Sequence, residues 1–179
     1  MIAIPKGAVV CVKGQSISGK IIQWWARRVE KIGKEDLCNH TLRYWGKGEI
    51  SAYPDCDMIE ANGFKVAAAK VEKYFDDSHV TWVFVNKNTM PGQLFIGKAY
   101  DEGTIGRSYG WMDIFRFAFK RIHPDNNSDY CSENTAEVSY RMSEPFEQKD
   151  SAGRVSPSDI LEYLTSPERA TDGWAKVLE

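Results

Sequence analysis

The amino-acid sequence predicts a mixed α+β domain in which helices flank a small sheet. Segments with strand character concentrate in the first half of the chain, and segments with helical spacing dominate the second half. The 179 residues are 42% hydrophobic and 27% charged, a globular composition that buries a core without disulfide bonds. No repeat or linker divides the chain. We therefore expect one domain over residues 1–179, with a core from about residue 4 to 165 and a polar C-terminal tail.

Four segments have strand character. Ala8–Val12 is a short apolar run that follows a Pro-Lys-Gly turn, and Asn39–Trp45 ends at a Gly-Lys-Gly turn. Met58–Ala61 precedes an Asn-Gly pair, which is a strong turn signal. Val80–Val85 is apolar on both faces, which predicts a central strand.

Helical spacing of apolar residues predicts five helices in the remaining segments. They run from Ser16 or Ser18 to about Ile32, from about Pro91 to Glu102, from Trp111 to Ile122, from near Tyr130 onward, and after Ser156-Pro157. Ser128 or Asp129 is expected to cap the helix that begins near Tyr130. One face of that helix is predicted to carry Cys131, Thr135, Val138 and Met142.

Charge and hydropathy exclude several classes of protein. The net charge of −2 argues against a general nucleic-acid binder, and no window approaches the length of a membrane-spanning helix. The N-terminus lacks a charged region followed by an apolar one, so we expect no signal peptide and a cytoplasmic location. The scattered cysteines Cys11, Cys38, Cys56 and Cys131 are then expected to be reduced thiols.

Cys131 is the strongest candidate for a nucleophile. It lies in the first turn of a predicted helix, where free amide groups and the positive end of the helix stabilise a thiolate and lower its pKa. The same amide groups can hold an oxyanion beside the sulfur. The structural alternative is a buried cysteine without reactivity, since free cysteine is among the most buried residue types.

A thiolate nucleophile needs a base, and His40 is the best placed of the three histidines. It shares a face of its predicted strand with Leu42 and Tyr44, which directs it toward packed structure. Glu60 is a charged residue within an apolar run, where a carboxylate needs a partner. Asp57 is the weaker alternative, because its spacing puts it on the opposite face from Glu60. A purely structural role remains open for each of the two main candidates. His40 is then a core histidine with satisfied hydrogen bonds, and Glu60 is a solvated glutamate.

The order of these elements resembles the circularly permuted papain-like thiol hydrolases of the YiiX/YaeF type. Those proteins are relatives of the NlpC-type peptidoglycan endopeptidases and of lecithin:retinol acyltransferase. The resemblance rests on Asn39-His40-Thr41, then Met58-Ile59-Glu60-Ala61 before a glycine turn, and then Tyr130-Cys131-Ser132-Glu133 at a helix start. Looser similarity runs from about residue 4 to 162. Ala8 stands where the family commonly has Asp, and Asn39-His40-Thr41 where it often has Ser-His-Val.

The resemblance implies a permuted papain-like fold with a small antiparallel sheet or barrel, and a Cys131–His40–Glu60 triad. It implies a cysteine-dependent hydrolase of amide bonds, such as a peptidase or amidase on cell-wall peptides or N-acyl substrates, that uses a thioester intermediate and no cofactor. A lipid-directed acyl hydrolase or acyltransferase on the same triad is the alternative. A wall substrate would require delivery by a phage or secretion route.

Three further readings compete with this one. Cys38, His40 and Cys56 form a candidate zinc-ligand set, although the spacing is not that of a chelating loop. The segment with Trp24-Trp25 beside Arg27-Arg28 is a candidate for contact with a membrane surface or nucleic acid, against the commoner reading of a core-facing helix. A non-catalytic binding or structural module that keeps the fold is the third. Substrate class and oligomeric state stay open.

Overall fold

The computed structural model describes residues 3–15, 19–20, 23–24, 27–28, 37–62, 65–109, 128–129, 131–145 and 155–178. In this part of the chain, eight strands form one sheet. The strands are β1 (Val9–Lys13), β2 (His40–Tyr44), β3 (Met58–Asn62), β4 (Lys65–Ala69), β5 (Val80–Asn86), β6 (Ser108–Tyr109), β7 (Ser128–Asp129) and β8 (Trp174–Leu178).

The sheet is open and largely antiparallel. Its strand order is β7-β6-β4-β3-β2-β1-β5-β8, and six strands of five to seven residues make up its body. Among the strands of the described residues, only β6 and β7, with two residues each, pair in parallel. Val10 lies opposite Leu42 on β2 and Val83 on β5, so β1 is an interior strand that is covered on both faces. The predicted α+β class with an antiparallel sheet is confirmed.

Three helices have both ends within the described residues: α1 (Pro91–Thr104), α2 (Cys131–Arg141) and α3 (Pro157–Thr165). The helices α2 and α3 pack on the sheet, and α1 packs against α2. Proline at the first position suits α1 and α3, because its missing N–H has no partner there in any helix. Ser156 caps α3: its hydroxyl accepts from the Asp159 N–H at 3.1 Å, and the Asp159 carboxylate accepts from the Ser156 N–H at 2.9 Å. Short 3-10 turns span Val71–Tyr74 and Pro167–Ala170.

The two faces of the sheet have separate apolar clusters. One face carries Val10, Leu42, Met58 and Val83, and the turn that contains Val71 packs against it. On the other face, α2 contributes to a cluster that joins it to β2 and β3; the members include Trp45, Ile59, Ala61, Cys131, Val138 and Met142. The helix α3 covers the β1 and β5 part of that face; the members include Val9, Cys11, Phe84, Ile160 and Leu161.

The predicted strands correspond to β1, β2, β3 and β5, and three of the predicted helices to α1, α2 and α3. The expected buried face is confirmed, since its four members are at most 3% exposed: Cys131, Thr135 and Val138 on α2, and Met142 one residue beyond its end. The helix predicted over Trp111–Ile122 and the Asn62-Gly63 turn lie wholly or partly outside the described residues. Of the helix predicted to end near Ile32, residues 19–20 and 23–24 are described as α-helical and residues 27–28 as π-helical.

Two features differ from expectation. Ser128 and Asp129 were predicted as helix caps, but they form β7, which pairs with β6. The predicted polar tail beyond about residue 165 contains β8, which pairs with β5 from Val83↔Leu178 to Asn86↔Trp174. Trp174 is buried there, so the C-terminal segment supplies both a strand and a core side chain. No helix in the described residues has the length and apolar character to cross a lipid bilayer.

Candidate active site

Cys131 begins α2, on the face of the sheet that this helix covers. Its side chain is 3% exposed, and backbone N–H groups of Thr41 and Ser132 donate to its sulfur. The β2–β3 ladder pairs only Arg43 and Tyr44, so the end of β2 that carries Thr41 is outside that ladder. The nucleophile candidate therefore lies where a helix N-terminus meets the end of a sheet strand.

His40 starts β2 and reaches both other members of the predicted triad. Its Nε2 lies 2.8 Å from Glu60 Oε2, and its ring hydrogen-bonds with the Cys131 thiol. Because Nε2 is taken by Glu60, Nδ1 is the ring nitrogen left for the sulfur. The structure thus brings Cys131, His40 and Glu60 together in a continuous chain of contacts. The His40 side chain is 14% exposed, so one edge of the imidazole meets solvent, whereas Cys131 and Glu60 are buried.

Glu60 is buried on β3 and has partners on both carboxylate oxygens. Lys73 donates to Oε1, and the Tyr74 hydroxyl donates to Oε2 at 2.5 Å. Both residues belong to the 3-10 turn after β4, and the Tyr74 ring also packs against the His40 ring at 5.5 Å between centroids. The alternative reading of Glu60 as a solvated glutamate is wrong, because its side chain is only 3% exposed.

The charges of these groups support one another. Burial alone would lower the pKa of His40, but the Cys131 thiolate and the Glu60 carboxylate overcome that effect and raise it from 6.5 to about 10. Burial would raise the pKa of Glu60, yet His40, Lys73 and Tyr74 lower it from 4.5 to about 2. For Cys131, burial opposes the thiolate, and the charge and hydrogen bond of His40 lower its pKa below 9.0. The site favours a thiolate beside an imidazolium.

The other candidates for this site lie elsewhere. Asp57 accepts from the Val71 N–H at 2.8 Å, and burial raises its pKa. Cys38 donates to the Pro157 carbonyl at 2.8 Å in the α3 cluster, whereas Cys56 packs against the α2 cluster. The described residues contain no group of three or more His, Cys, Asp or Glu residues that could hold a metal ion, so the structure does not assemble the Cys38, His40 and Cys56 set.

Two buried polar networks hold α2 in place. On α1, Asp101 accepts from the Trp45 indole at 2.7 Å and from Asn134 of α2 at 2.8 Å. The Arg43 guanidinium of β2 donates to Ser139 of α2, and to the Glu144 carboxylate just beyond it at 2.5 Å. A buried charge needs such partners to be tolerated. Both networks connect the helix that carries Cys131 to neighbouring elements.

Sequence reasoning missed Lys73 and Tyr74. The available signal was Glu60 itself, because a carboxylate within an apolar run requires donors, and the Glu-Lys-Tyr segment that supplies them follows 12 residues later (Glu72, Lys73, Tyr74). The identity of the donors depends on the β3–β4 hairpin, which brings that turn back over β3. The arrangement of a low-pKa thiol, a buried imidazole and an ionised carboxylate can support nucleophilic attack and proton transfer.

A comparison with protein-family models finds no match for this chain. A comparison with curated protein sequences also finds none.

Proposed function

We propose that this protein is a cysteine hydrolase of amide bonds with a permuted papain-like fold. Cys131 would be the nucleophile, His40 the general acid and base, and Glu60 the residue that orients the imidazole. The observation that carries the proposal is the chain of contacts from Glu60 through Nε2 of His40, at 2.8 Å, to the Cys131 thiol. A nucleophile, a base and a third group that orients the base are the parts of such a site.

The proposed reaction has two stages. The thiolate attacks the carbonyl carbon, a C–S bond forms, and the carbonyl oxygen becomes an oxyanion. The N–H of Cys131 in the first turn of α2 would stabilise that oxyanion. The His40 imidazolium then donates its proton to the leaving nitrogen as the C–N bond breaks, which leaves a thioester. Water, deprotonated by His40, attacks the thioester; the C–S bond breaks, and the acid leaves as the thiolate returns.

The burial of Glu60 supports its place in this scheme. A carboxylate with three donors and a pKa lowered to about 2 is ionised near neutral pH, so it can stabilise the imidazolium form of His40 there. Its hydrogen bond with Nε2 also directs Nδ1 toward the sulfur. Nδ1 is the nitrogen that must exchange the proton with Cys131.

The first test is the pH dependence of iodoacetamide alkylation at Cys131, with the modified residue identified by mass spectrometry. The thiolate is the reactive form, so we expect reaction well below pH 9.0, the ordinary pKa of the thiol. Each unit by which His40 lowers the thiol pKa raises the thiolate fraction about tenfold and lowers its nucleophilicity about threefold, a net gain of about threefold at acidic pH. His40→Ala should lose this gain.

His79→Ala is the matched control, since His79 pairs instead with Asp76 at 2.7 Å. Full labelling in denaturant sets the maximum, and Cys56 is an internal reference thiol of intermediate burial. Cys131→Ala should then abolish turnover of amide and acyl-ester substrates while the circular dichroism stays that of the wild type. A Cys131 thiol whose reactivity is the same with and without His40 would remove the basis for the proposal.

A further inference from the structure

The N-terminal segment of the chain is strongly basic although the whole chain is acidic. Residues 1–29 contain five Lys or Arg residues and no Asp or Glu. The remaining residues, 30–179, therefore hold 18 of the 23 basic residues and all 25 acidic ones, a net charge of −7 against +5 for the first segment. Lys6 pairs with Glu49 and Lys13 lies on β1, so Lys20, Arg27 and Arg28 are the cations of this segment that can form a surface for an anionic partner.

Four residues of this segment form what we call the basic face: Lys20, Trp24, Arg27 and Arg28. All four are solvent-exposed. In the described part of the chain, no carboxylate lies within ion-pair distance of the three cations. Lys20 and Trp24 have α-helical backbone, and Arg27 and Arg28 have π-helical backbone.

The exposure of Trp24 is unusual within this protein. Its side chain is 60% exposed, whereas the other tryptophans whose burial is described are between 2% and 6% exposed: Trp45, Trp82 and Trp174. An exposed tryptophan among cations combines an apolar anchor with charge. That combination suits the interface of a bilayer, where an amphipathic ring lies at the level of the headgroups.

The basic face is connected to the candidate active site. Between Lys20 and Trp24 in the sequence, Gln23 donates to the Gly14 carbonyl at 3.2 Å. Gly14 in turn exchanges two hydrogen bonds with the Asn39 side chain, at 3.0 and 2.9 Å. Asn39 immediately precedes His40. The helical segment that carries the basic face is therefore anchored one residue from the candidate general base.

We propose that the basic face docks this protein on an anionic phospholipid membrane surface. The three cations would contact lipid phosphate and carboxylate groups, and Trp24 would enter the interface. We argue for a bilayer rather than a nucleic acid because the exposed Trp24 ring supplies an apolar anchor at the level of the headgroups, and because a net charge of −2 is not typical of a nucleic-acid binder. The proposal does not depend on the hydrolase activity.

The test is sedimentation of the full chain with vesicles of phosphatidylcholine alone or mixed with phosphatidylserine. We expect binding to the anionic vesicles, little to the neutral ones, and release at high salt. Each basic residue near an anionic surface contributes about fivefold, so Arg27→Gln/Arg28→Gln should lower the partition coefficient about thirtyfold. Trp24→Ala should lower it about tenfold, the scale for withdrawing a large apolar side chain.

The chain offers matched controls. Lys47→Gln/Lys87→Gln removes two exposed cations elsewhere, and Phe95→Ala removes a side chain that is 71% exposed on α1. Both should bind as the wild type does, and so should Cys131→Ala, which separates docking from catalysis. Circular dichroism verifies that each variant is folded.

Three results would overturn the proposal. They are the absence of sedimentation with anionic vesicles, equal binding to both vesicle types at every salt concentration, and an equal loss in the Lys47→Gln/Lys87→Gln control. Binding to a single-stranded oligonucleotide but not to vesicles would assign the face to nucleic acid instead. The lipid and salt dependence of the wild type decides the matter even if a variant of the face fails to fold.

Discussion

Glu60→Gln provides a direct measure of how strongly the site holds its carboxylate. The substitution keeps the size of the side chain and removes its charge. Glu60 is 2% exposed and interacts with His40, Lys73 and Tyr74. The drop in its pKa from 4.5 to about 2 corresponds to about 3 kcal/mol in favour of the ionised form in the folded protein.

The sign of the pH dependence follows from the direction of that change. A carboxylate whose pKa is depressed on folding stabilises the protein fully above pH 4.5, and this stabilisation is lost as the pH falls toward 2. We expect Glu60→Gln to lower the free energy of unfolding at neutral pH by about 3 kcal/mol. We also expect the difference between wild type and variant to shrink in acid.

Urea unfolding at a series of pH values measures both effects. Glu72→Gln is the matched control, because Glu72 is an exposed glutamate in the neighbouring 3-10 turn. It should change the stability by less than about 0.5 kcal/mol, as surface substitutions usually do. If Glu60→Gln costs no more than Glu72→Gln, or if its deficit persists unchanged in acid, then the Glu60 carboxylate is not held by its donors as described.

Three further substitutions address the surroundings of the site. Arg43→Met leaves the Glu144 carboxylate buried without its cation, and we expect a loss of about 3–5 kcal/mol in urea unfolding, much of it recovered in Arg43→Met/Glu144→Met. Tyr74→Phe removes one donor to Glu60, so stability should fall by about 1.5–3 kcal/mol and the Glu60 pKa should rise in a carboxyl NMR titration. Met142→Ala opens a cavity beneath α1 and should cost about 2–5 kcal/mol.

Each of these expectations has a contrary result. A double variant no more stable than Arg43→Met would show that the pair is not the source of the loss. An unchanged Glu60 titration in Tyr74→Phe would place the tyrosine hydroxyl elsewhere in solution. A Met142→Ala variant as stable as the wild type would mean that neighbouring side chains fill the space completely.

Much of the fold could be predicted from local pattern. The apolar run of β5 and the Ser156 cap of α3 are visible in the sequence, because strand and cap chemistry depend on neighbouring residues. By contrast, β4 has the sequence Lys-Val-Ala-Ala-Ala, which has little β-propensity, and its strand conformation depends on pairing with β3. The strand conformation of β8 likewise depends on pairing with β5, from which it is separated by about 90 residues of the chain.

Some residues of the candidate site could likewise be identified from local sequence, and others depend on tertiary structure. Cys131 could be identified because a helix start has consequences for thiol chemistry, and Glu60 because a carboxylate in an apolar run needs partners. Lys73 and Tyr74 could not be identified by the same reasoning, since their approach to Glu60 depends on how a turn folds back over a hairpin. Local chemistry indicates which residues need a partner, and tertiary structure decides which partner they have.

The interaction between Cys131 and His40, which favours a thiolate beside an imidazolium, also joins a helix to a sheet, because the sulfur belongs to α2 and the imidazole to β2. Any reaction that converts the thiolate to a thioether or thioester removes the negative charge of the sulfur and, with it, the attraction between α2 and β2. Without the thiolate, the imidazolium form of His40 loses part of its stabilisation, so the pKa of His40 falls. A covalently modified protein should therefore melt at a lower temperature than the free one, and hydrolysis of a thioester would be favoured by the recovery of conformational stability as well as by bond energy.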